Sequence, residues 1–170
     1  GFYNILSNKI TSAPTAEDPN IWLPYNIGKV RAIGLDLVTG ADVTYGDWKG
    51  EVDLRYSYQS AVDRTPDSYS YGQQIPYIAK HTVTASVKAS WKGYELNPRW
   101  VLKSGRNDAT GNLADWNTLD VTLSKTFKLH GPLSLGINIA AKNLLDCRYE
   151  LVSGYPMPGR SFIGGVEMKF

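Results

Sequence analysis

The side chains that most often carry catalysis or bind metals are few in this sequence and stand apart. The two histidines, His81 and His130, fall at a predicted strand start and in a short turn, and neither has a partner ligand or base at short spacing. The single cysteine, Cys147, has no metal-binding partner and is expected to be a small shielded residue. The sequence contains no glycine-rich phosphate loop and no nucleophile elbow. We therefore predict no enzyme, no metal centre and no cofactor.

Carboxylates and aromatic rings in the long connections are the remaining candidates for binding. Asp63 with Asp67, or Asp108 with Asp115, could contribute to a calcium site in a loop, but loop carboxylates are usually just solvated. Exposed aromatic rings on loops are costly unless they are used, so they are candidate ligand contacts, although packing within the loops explains them equally well. These candidates are Trp22, Tyr69, Tyr71 and Tyr155.

Length and charge indicate a single domain and exclude one class of partner. The chain has 170 residues, a formal net charge of +2 and no basic cluster, so nucleic acid is not an expected partner. No apolar run approaches the roughly 18–20 residues of a membrane-spanning helix, which excludes helical insertion but not a β-barrel. Because the sequence begins in a strand-like run with no initiator Met or signal peptide, we expect a fragment or processed product of a longer protein.

Eight segments alternate between apolar and polar residues with the period of two that is typical of strands. In the third segment, for example, Val52 and Leu54 alternate with Asp53 and Arg55. Pro98 falls inside the fifth segment and predicts a bulge or a local break there. The predicted strands run approximately over residues 2–11, 24–45, 50–63, 78–91, 94–105, 116–128, 133–144 and 160–170.

The connections between these segments alternate in length. Short turns follow the second, fourth and sixth segments, whereas long excursions at 12–23, 64–77, 106–115 and 145–159 follow the odd-numbered ones. This is the up-and-down layout of an outer-membrane barrel with short periplasmic turns and long external loops. An interfacial belt is predicted at the short turns from Tyr45, Trp48, Trp91, Tyr94, Phe127 and Phe170. A soluble, lipocalin-like antiparallel barrel shows the same alternation, so the pattern alone leaves both classes open.

The final segment is apolar on one face to its last residue. Phe162, Val166, Met168 and Phe170 share that face, and a strand without a polar tail suits a position against lipid better than a soluble sheet. A charge on a lipid-facing position costs about 2–4 kcal/mol at the membrane midplane. The apolar phases of the predicted strands are nearly free of charge. Lys125 is one exception, and it lies near a strand end where its side chain can snorkel to water.

Four segments carry motifs that resemble a known family. Residues 143–149 read N-L-L-D-C-R-Y and residues 154–160 read G-Y-P-M-P-G-R. Upstream, residues 26–36 read N-I-G-K-V-R-A-I-G-L-D and residues 76–81 read P-Y-I-A-K-H. All four resemble segments of the TonB-dependent outer-membrane receptors, and the resemblance spans nearly the whole chain. The most specific motif positions are Asn143, Leu144, Asp146, Tyr149, Gly159 and Arg160.

The resemblance implies that residues 1–170 are the C-terminal segment of a 22-stranded barrel, with a plug domain elsewhere in the full-length receptor. Such a receptor lies among the outer-membrane lipids of a Gram-negative bacterium and imports a scarce nutrient with energy from TonB, which contacts the N-terminal part. The C-terminal sequence most resembles those of cobalamin-, siderophore- and haem-type receptors. The apolar face of the last strand resembles the signal read by the barrel-assembly machinery, and comprises Phe162, Val166, Met168 and Phe170.

Two further functions remain open from the residues themselves. A free-standing eight-stranded outer-membrane barrel with a structural or adhesive role fits the even strand count, and a soluble lipocalin-like barrel that binds a ligand fits the alternation. Eight strands taken from a larger barrel would expose two open edges. For such a fragment we expect either closure into a small barrel or edge-to-edge pairing with a second copy.

Overall fold

The computed structural model describes residues 1–15, 18, 20–108 and 111–170, with their side chains except at 9, 11–14 and 25–27. Asn26 and Ile27, which begin the motif at 26–36, therefore lie outside the described side chains. In the described ranges, no helix is long and apolar enough to cross a membrane.

The chain folds into strands of two lengths. They are, in chain order, β1 (Phe2–Pro14), β2 (Trp22–Tyr45), β3 (Trp48–Asp63), β4 (His81–Trp91), β5 (Tyr94–Ser104), β6 (Arg106–Asn107), β7 (Asn112–Leu113), β8 (Trp116–Lys128), β9 (Ser134–Lys142), β10 (Glu150–Val152), β11 (Tyr155–Pro156) and β12 (Ser161–Lys169). The eight longer strands form one antiparallel sheet in the order β1-β2-β3-β4-β5-β8-β9-β12. The pairs β6–β7 and β10–β11 are small hairpins within two long loops. The eight predicted strands are confirmed, whereas the two hairpins were not predicted.

Several strand boundaries differ from the prediction. β4 begins at His81 rather than at 78, because Tyr77 has a φ of 64° and interrupts the extended chain. β9 ends before Asn143, whose φ is 47°. β1 and β2 together extend farther into the first connection than expected, which leaves residues 15–21 between them. Trp22 is consequently the first residue of a strand and not a loop residue.

Alternation along the strands and the register between them give the sheet two different faces. On one face, Leu96, Leu123 and Ile139 are direct register partners and all three are exposed. On the other face, Arg99 lies opposite Asp120. We call these the apolar face and the polar face. The alternation in the sequence predicted which residues of each strand after the first would share the apolar face. This prediction is confirmed, because the register places the predicted apolar residues of neighbouring strands side by side.

Pairing between β4 and β5 is interrupted at Pro98. Ser86 pairs with Arg99 on one side of the gap and Ala89 pairs with Leu96 on the other, so the register is unchanged across it. Pairing of β5 with β8 continues through Pro98. Proline has no backbone N–H to donate toward β4, and the predicted local break therefore occurs without a bulge.

Four aromatic residues line up beside the short turns on the apolar face. Tyr45, Trp48, Trp91 and Tyr94 are successive register partners across β2, β3, β4 and β5. The ring centroids of Trp48 and Trp91 are 5.2 Å apart, and those of Trp91 and Tyr94 are 6.1 Å apart. We call these four residues the aromatic row. The predicted clustering of aromatic residues at this rim is confirmed for them.

At the opposite, long-loop end, a small apolar core covers the polar face. Val30 and Ala32 of β2 and Ala61 of β3 are buried there beneath Ile75, which belongs to the β3–β4 loop. The backbone N–H of Ile75 donates to the carbonyl oxygen of Ala61 (2.8 Å) and fixes the loop in place. The ring of Phe2 packs against the same core. The loop thus folds over the face that carries polar side chains elsewhere.

Gly34→Ala is expected to lower the free energy of unfolding by about 1–2 kcal/mol, because the site has no room for a Cβ. A Cβ at Gly34 would lie within 2.5 Å of the carbonyl oxygen of Tyr58 and would strike the ring of Phe2. At Gly50 the same Cβ would meet nothing within 4 Å, so Gly50→Ala is the matched control. Urea unfolding in detergent, followed by tryptophan fluorescence, measures both. Equal losses would contradict the close approach at Gly34.

The sheet is open, with β1 and β12 at its two edges. Closure of the chain into a small eight-stranded barrel, one of the two expected outcomes, is therefore not the arrangement of this structure. The two outermost strands expose backbone groups that a further strand can pair with. Edge-to-edge pairing with a second copy stays a prediction.

Candidate functional site

Asp63 holds the start of the β3–β4 loop. Its carboxylate accepts hydrogen bonds from the backbone N–H of Thr65 (2.7 Å) and from the hydroxyls of Ser68 (2.7 Å) and Ser70 (2.6 Å). The residue is 2% exposed. Burial by itself raises the pKa of the Asp63 carboxyl, but the hydrogen bonds from Ser70, Thr65 and Ser68 outweigh it and lower the pKa to about 2. Asp63 is therefore a structural carboxylate rather than a solvated one.

Hydrogen bonds join the β3–β4 loop to the β5–β8 loop. The backbone N–H of Tyr77 donates to the carbonyl oxygen of Asn107 (2.7 Å), and the side-chain amide of Asn107 donates to the carbonyl oxygen of Gln74 (3.1 Å). A third bond runs from the N–H of Lys80 to the carbonyl oxygen of Gly105 (3.3 Å). The two loops are therefore held side by side at three points.

Arg106 joins the β5–β8 loop to the β9–β12 loop. Its guanidinium is buried and donates from Nη2 to the carbonyl oxygen of Glu150 (2.6 Å). Burial lowers the pKa of Arg106, and the charge of Asp115 opposes that shift. Asp115 in turn accepts a hydrogen bond from the N–H of Gly105 (2.9 Å). The described residues of the three loops, 64–80, 105–115 and 143–160, thus form one connected structure, which we call the loop layer.

Asn143 closes the β9–β12 loop onto itself. Its side-chain amide donates to the carbonyl oxygens of Cys147 (2.9 Å) and Pro158 (3.3 Å), and its Oδ1 accepts from the N–H of Cys147 (3.0 Å). The side chain is 6% exposed. The backbone N–H of Asn143 donates to Asp120 on β8 (2.9 Å). One motif residue therefore binds the start of the loop, its end and the neighbouring strand.

The other motif residues surround this turn. Asp146 accepts a hydrogen bond from the N–H of Arg160 (2.9 Å), and its carboxylate lies 3.9 Å from the Arg160 guanidinium. A Cβ at Gly159 would come within 3.0 Å of the same carboxylate, which explains the small residue there. The N–H of Leu144 donates to Leu119 of β8 (2.7 Å). Residues 143–146 and 158–160 therefore form a compact junction between β9 and β12.

A groove of about 520 Å³ lies on the polar face beneath the β9–β12 loop. Tyr149 and Trp116 stack at its loop end, with ring centroids 4.4 Å apart. Asp120 is 3.1 Å from the ammonium of Lys142, so one carboxylate faces three basic side chains. This excess of positive charge suits an anionic group. The chemically distinctive lining residues are Arg99, Lys103, Trp116, Asp120, Lys142 and Tyr149.

The four aromatic candidates for ligand contact lie elsewhere at the long-loop end of the sheet, and none of them lines the groove. Tyr69 is 87% exposed, and Tyr71 and Tyr155 are each 55% exposed. Trp22 is half-buried and stacks on Tyr77, with ring centroids 6.1 Å apart. Three of the four rings are therefore exposed, although the Arg64 guanidinium lies 5.4 Å from the centroid of the Tyr71 ring, while Trp22 packs against the β3–β4 loop.

The histidine at the start of β4 has a structural partner. Nδ1 of His81 lies 2.8 Å from the hydroxyl of Tyr56, and its ring also contacts that of Tyr58. Within the ranges that the structure describes, no three His, Cys, Asp or Glu side chains lie close enough together to hold a metal ion. Cys147 is partly exposed, and its N–H and carbonyl serve the Asn143 turn.

Sequence reasoning missed Asp63, Arg106 and Asn107 as organisers of the loop layer. Asp63 carries a local signal, because an Asp followed at two residues by Thr and then by spaced serines is typical of Asx and Ser/Thr turns. Arg106 has no such signal, since its partner is 44 residues away in the chain. Asn107 likewise bonds to Gln74, 33 residues away.

The arrangement defines a class of protein. An up-and-down antiparallel sheet with an exposed apolar face, an aromatic row at its short turns and a polar opposite face has the construction of a membrane β-barrel wall. Residues 1–144 match the family described as "TonB dependent receptor-like, beta-barrel", and the chain belongs to this family. None of the curated proteins matches the chain.

Family membership confirms the predicted resemblance and the all-β fold class. Members of the family are transporters rather than enzymes and lie in the outer membrane of Gram-negative bacteria. Membership indicates a general role in nutrient uptake across that membrane, in contact with lipid and with TonB.

Proposed function

We propose that residues 1–170 form the C-terminal wall of a 22-stranded outer-membrane receptor that imports a scarce nutrient with energy supplied through TonB. The observation that carries the proposal is the exposed apolar face of an open sheet. Phe162 is 68% exposed and Val166 is 73% exposed on this face, which a soluble barrel would bury inside. In the receptor, lipid covers the apolar face, and further strands form hydrogen bonds with the unpaired backbone groups of β1 and β12.

In this proposal the short turns face the periplasm and the loop layer faces the outside. The polar face then lines the lumen, where it meets the plug domain of the full-length receptor. Phe162, Val166 and Met168, with the exposed Phe170 after β12, form the signal read by the barrel-assembly machinery. For the chain without its neighbouring strands, the same open edges support edge-to-edge pairing with a second copy.

The loop layer is the proposed region of ligand contact. Its exposed rings, Tyr69, Tyr71 and Tyr155, offer aromatic surface, and the groove beneath offers basic side chains. The cargo classes we propose are cobalamin, an iron–siderophore complex and haem. The phosphodiester of cobalamin and the propionates of haem are anionic groups of the kind that the groove suits.

The test is uptake by cells that express the full-length receptor. Radiolabelled cobalamin, ferric siderophore and haem are supplied separately to a strain lacking the receptor, to the complemented strain and to a complemented strain without TonB. We expect uptake of one of the three only when both the receptor and TonB are present. The proposal is wrong if none of the three shows uptake that depends on both proteins.

A pair of matched variants tests the ligand-contact surface in the same strains. Tyr69→Ala removes a ring that is 87% exposed in the loop layer, and Tyr45→Ala removes one that is 82% exposed at the opposite rim. We expect Tyr69→Ala to weaken ligand binding by about tenfold, the equivalent of ~1.4 kcal/mol, and Tyr45→Ala to leave it unchanged. If Tyr69→Ala weakens ligand binding no more than Tyr45→Ala does, ligand contact lies outside the loop layer.

A further inference from the structure

Lys125 is a cation on the apolar face. Its direct register partners are Tyr94 on β5 and Ile137 on β9, which both lie on that face. A charge on the lipid-facing surface is costly at the membrane midplane and is tolerated near the interface. Tyr94 belongs to the aromatic row, so Lys125 lies at the short-turn rim, where water, headgroups and acyl chains meet.

The ammonium of Lys125 is held in one position. Its Nζ lies 3.8 Å from the centroid of the Tyr94 ring and 5.6 Å from that of Phe127, so two rings face the cation. It also donates a hydrogen bond to the carbonyl oxygen of Lys92 (2.6 Å). An ammonium has three N–H donors, and this bond uses one of them. The remaining donors are available to an acceptor outside the protein.

The charge of Lys125 is not offset by a carboxylate in the described part of the chain, where the five ion pairs involve other side chains. Two carboxylates near this rim are paired with other lysines: that of Asp47 lies 3.5 Å from the ammonium of Lys92, and that of Glu95 lies 3.4 Å from the ammonium of Lys88. An anion from outside the chain would therefore meet an uncompensated positive charge at Lys125.

The β4–β5 turn is built so that it meets β8 at this point. Gly93 has a φ of 80°, and a Cβ there would lie 2.8 Å from the carbonyl oxygen of Thr126. The N–H of Thr126 donates to the carbonyl oxygen of Gly93 (2.9 Å). This contact brings the carbonyl of Lys92 to the ammonium of Lys125. The position of the charge is therefore set before any ligand arrives.

We propose that Lys125, between the rings of Tyr94 and Phe127, binds the phosphate of an anionic phospholipid headgroup, with the aromatic row packed along the glycerol and upper acyl chains. A zwitterionic lipid carries its own cation beside the phosphate, so an anionic lipid complements the uncompensated ammonium better. The site rests on the proposed function, because that function assigns the apolar face to lipid. It adds a lipid preference that the transport role does not require.

The experiment compares full-length receptor in vesicles of phosphatidylcholine alone and in vesicles with one part in five of phosphatidylglycerol. Native mass spectrometry of the extracted protein measures bound phosphatidylglycerol, and thermal unfolding measures stabilisation. Lys125→Gln is the test variant. Lys128→Gln is the matched control, since Lys128 is an exposed lysine near the same end of β8 but on the polar face. Lys125→Arg retains the charge.

We expect wild type, Lys128→Gln and Lys125→Arg to prefer phosphatidylglycerol, and Lys125→Gln to bind it about fivefold more weakly, the equivalent of ~1 kcal/mol for one basic side chain at an anionic surface. Equal weakening by Lys128→Gln, or no lipid preference in the wild type, would overturn the site. Inorganic phosphate in lipid-free detergent should not stabilise the protein against thermal unfolding to a comparable extent. Equal stabilisation would show that the site binds free phosphate rather than a lipid headgroup.

The same preparations separate failure of this inference from failure of the proposed function. A receptor that inserts into both kinds of vesicle and supports TonB-dependent uptake, yet shows no lipid preference, refutes the lipid site alone. A protein that does not associate with either vesicle refutes the assignment of the apolar face to lipid, and with it both proposals. Because the wild-type comparison needs no variant, the lipid site remains falsifiable even where Lys125→Gln fails to fold.

Discussion

Asn143→Ala is expected to lower the free energy of unfolding by about 3 kcal/mol, because it leaves three backbone groups without partners at a buried turn. These groups are the N–H and carbonyl of Cys147 and the carbonyl of Pro158. Alanine also fits poorly at the φ of 47° that asparagine tolerates there. Because the same side chain joins both ends of the β9–β12 loop, the loss should appear first as increased proteolysis within residues 143–160.

Two variants separate the contributions of the side chain and the backbone. Asn8 also has a positive φ, 55°, but is exposed, so Asn8→Ala reports the backbone cost without the buried hydrogen bonds. Asn143→Asp keeps the acceptor for the Cys147 N–H and loses both donors, so an intermediate loss is expected. Guanidinium unfolding of the full-length receptor in detergent measures all three. If Asn8→Ala costs as much as Asn143→Ala, the hydrogen-bond account of the turn is wrong.

Asp63→Asn is expected to lower the free energy of unfolding at neutral pH by about 2 kcal/mol. The variant should also lack the loss of stability that the wild type shows when Asp63 is protonated in acid. The pKa of Asp63 is about 2 in the folded protein, against an ordinary value of 3.8. The folded state therefore takes up the proton at lower pH than the unfolded chain does. The stabilisation is complete above pH 3.8 and is lost as the pH falls through about 2.

This titration lies outside the membrane-spanning part of the sheet. Asp63 is the last of the 16 residues of β3, counted from the short turn. About 9–11 residues are enough for a strand to cross a bilayer. The Asp63 carboxylate, bonded to Ser68 and Ser70, therefore belongs to the loop layer.

Proteolysis of the β3–β4 loop between pH 2 and pH 5, with an acid-tolerant protease, measures the effect. The wild-type loop should become sensitive only toward the lower end of this range, whereas in Asp63→Asn it should be equally sensitive throughout. Asp67→Asn is the control, since Asp67 is an exposed carboxylate in the same loop. A wild-type profile in Asp63→Asn would show that the carboxylate does not hold the loop.

The eight long strands, the two faces of the sheet and the family could be predicted from local features of the sequence. Residues two apart in a strand point the same way whatever the strand pairs with. The alternation of Val52 and Leu54 with Asp53 and Arg55 was therefore enough to assign these residues to the two faces of the sheet. Pro98 predicted a local break because the missing N–H belongs to the residue itself. The motif positions around Asn143 likewise form one turn, since their contacts lie within a single loop.

The exposed tyrosines of the candidate ligand surface followed from the sequence, because long polar loops lie at the surface. The contacts that join the loops into one layer could not be predicted from the sequence. Arg106 and Asn107 bond across 44 and 33 residues, and no local pattern indicates which distant carbonyl a buried donor will reach. Trp22 was placed in a loop for a similar reason, since its position at the start of β2 depends on its pairing with Pro14 of β1.

Two features could be seen only in the folded chain: the sheet stays open, and Ile75 covers Val30 and Ala61. Both outcomes depend on pairing between segments that are far apart in the chain. Closure of a sheet requires its first and last strands to meet, which is set by strand number, tilt and register together. Alternation describes one strand at a time and contains none of these quantities. The sequence therefore determined what each strand presents to either side, and the tertiary structure determined what each loop covers and which edges remain unpaired.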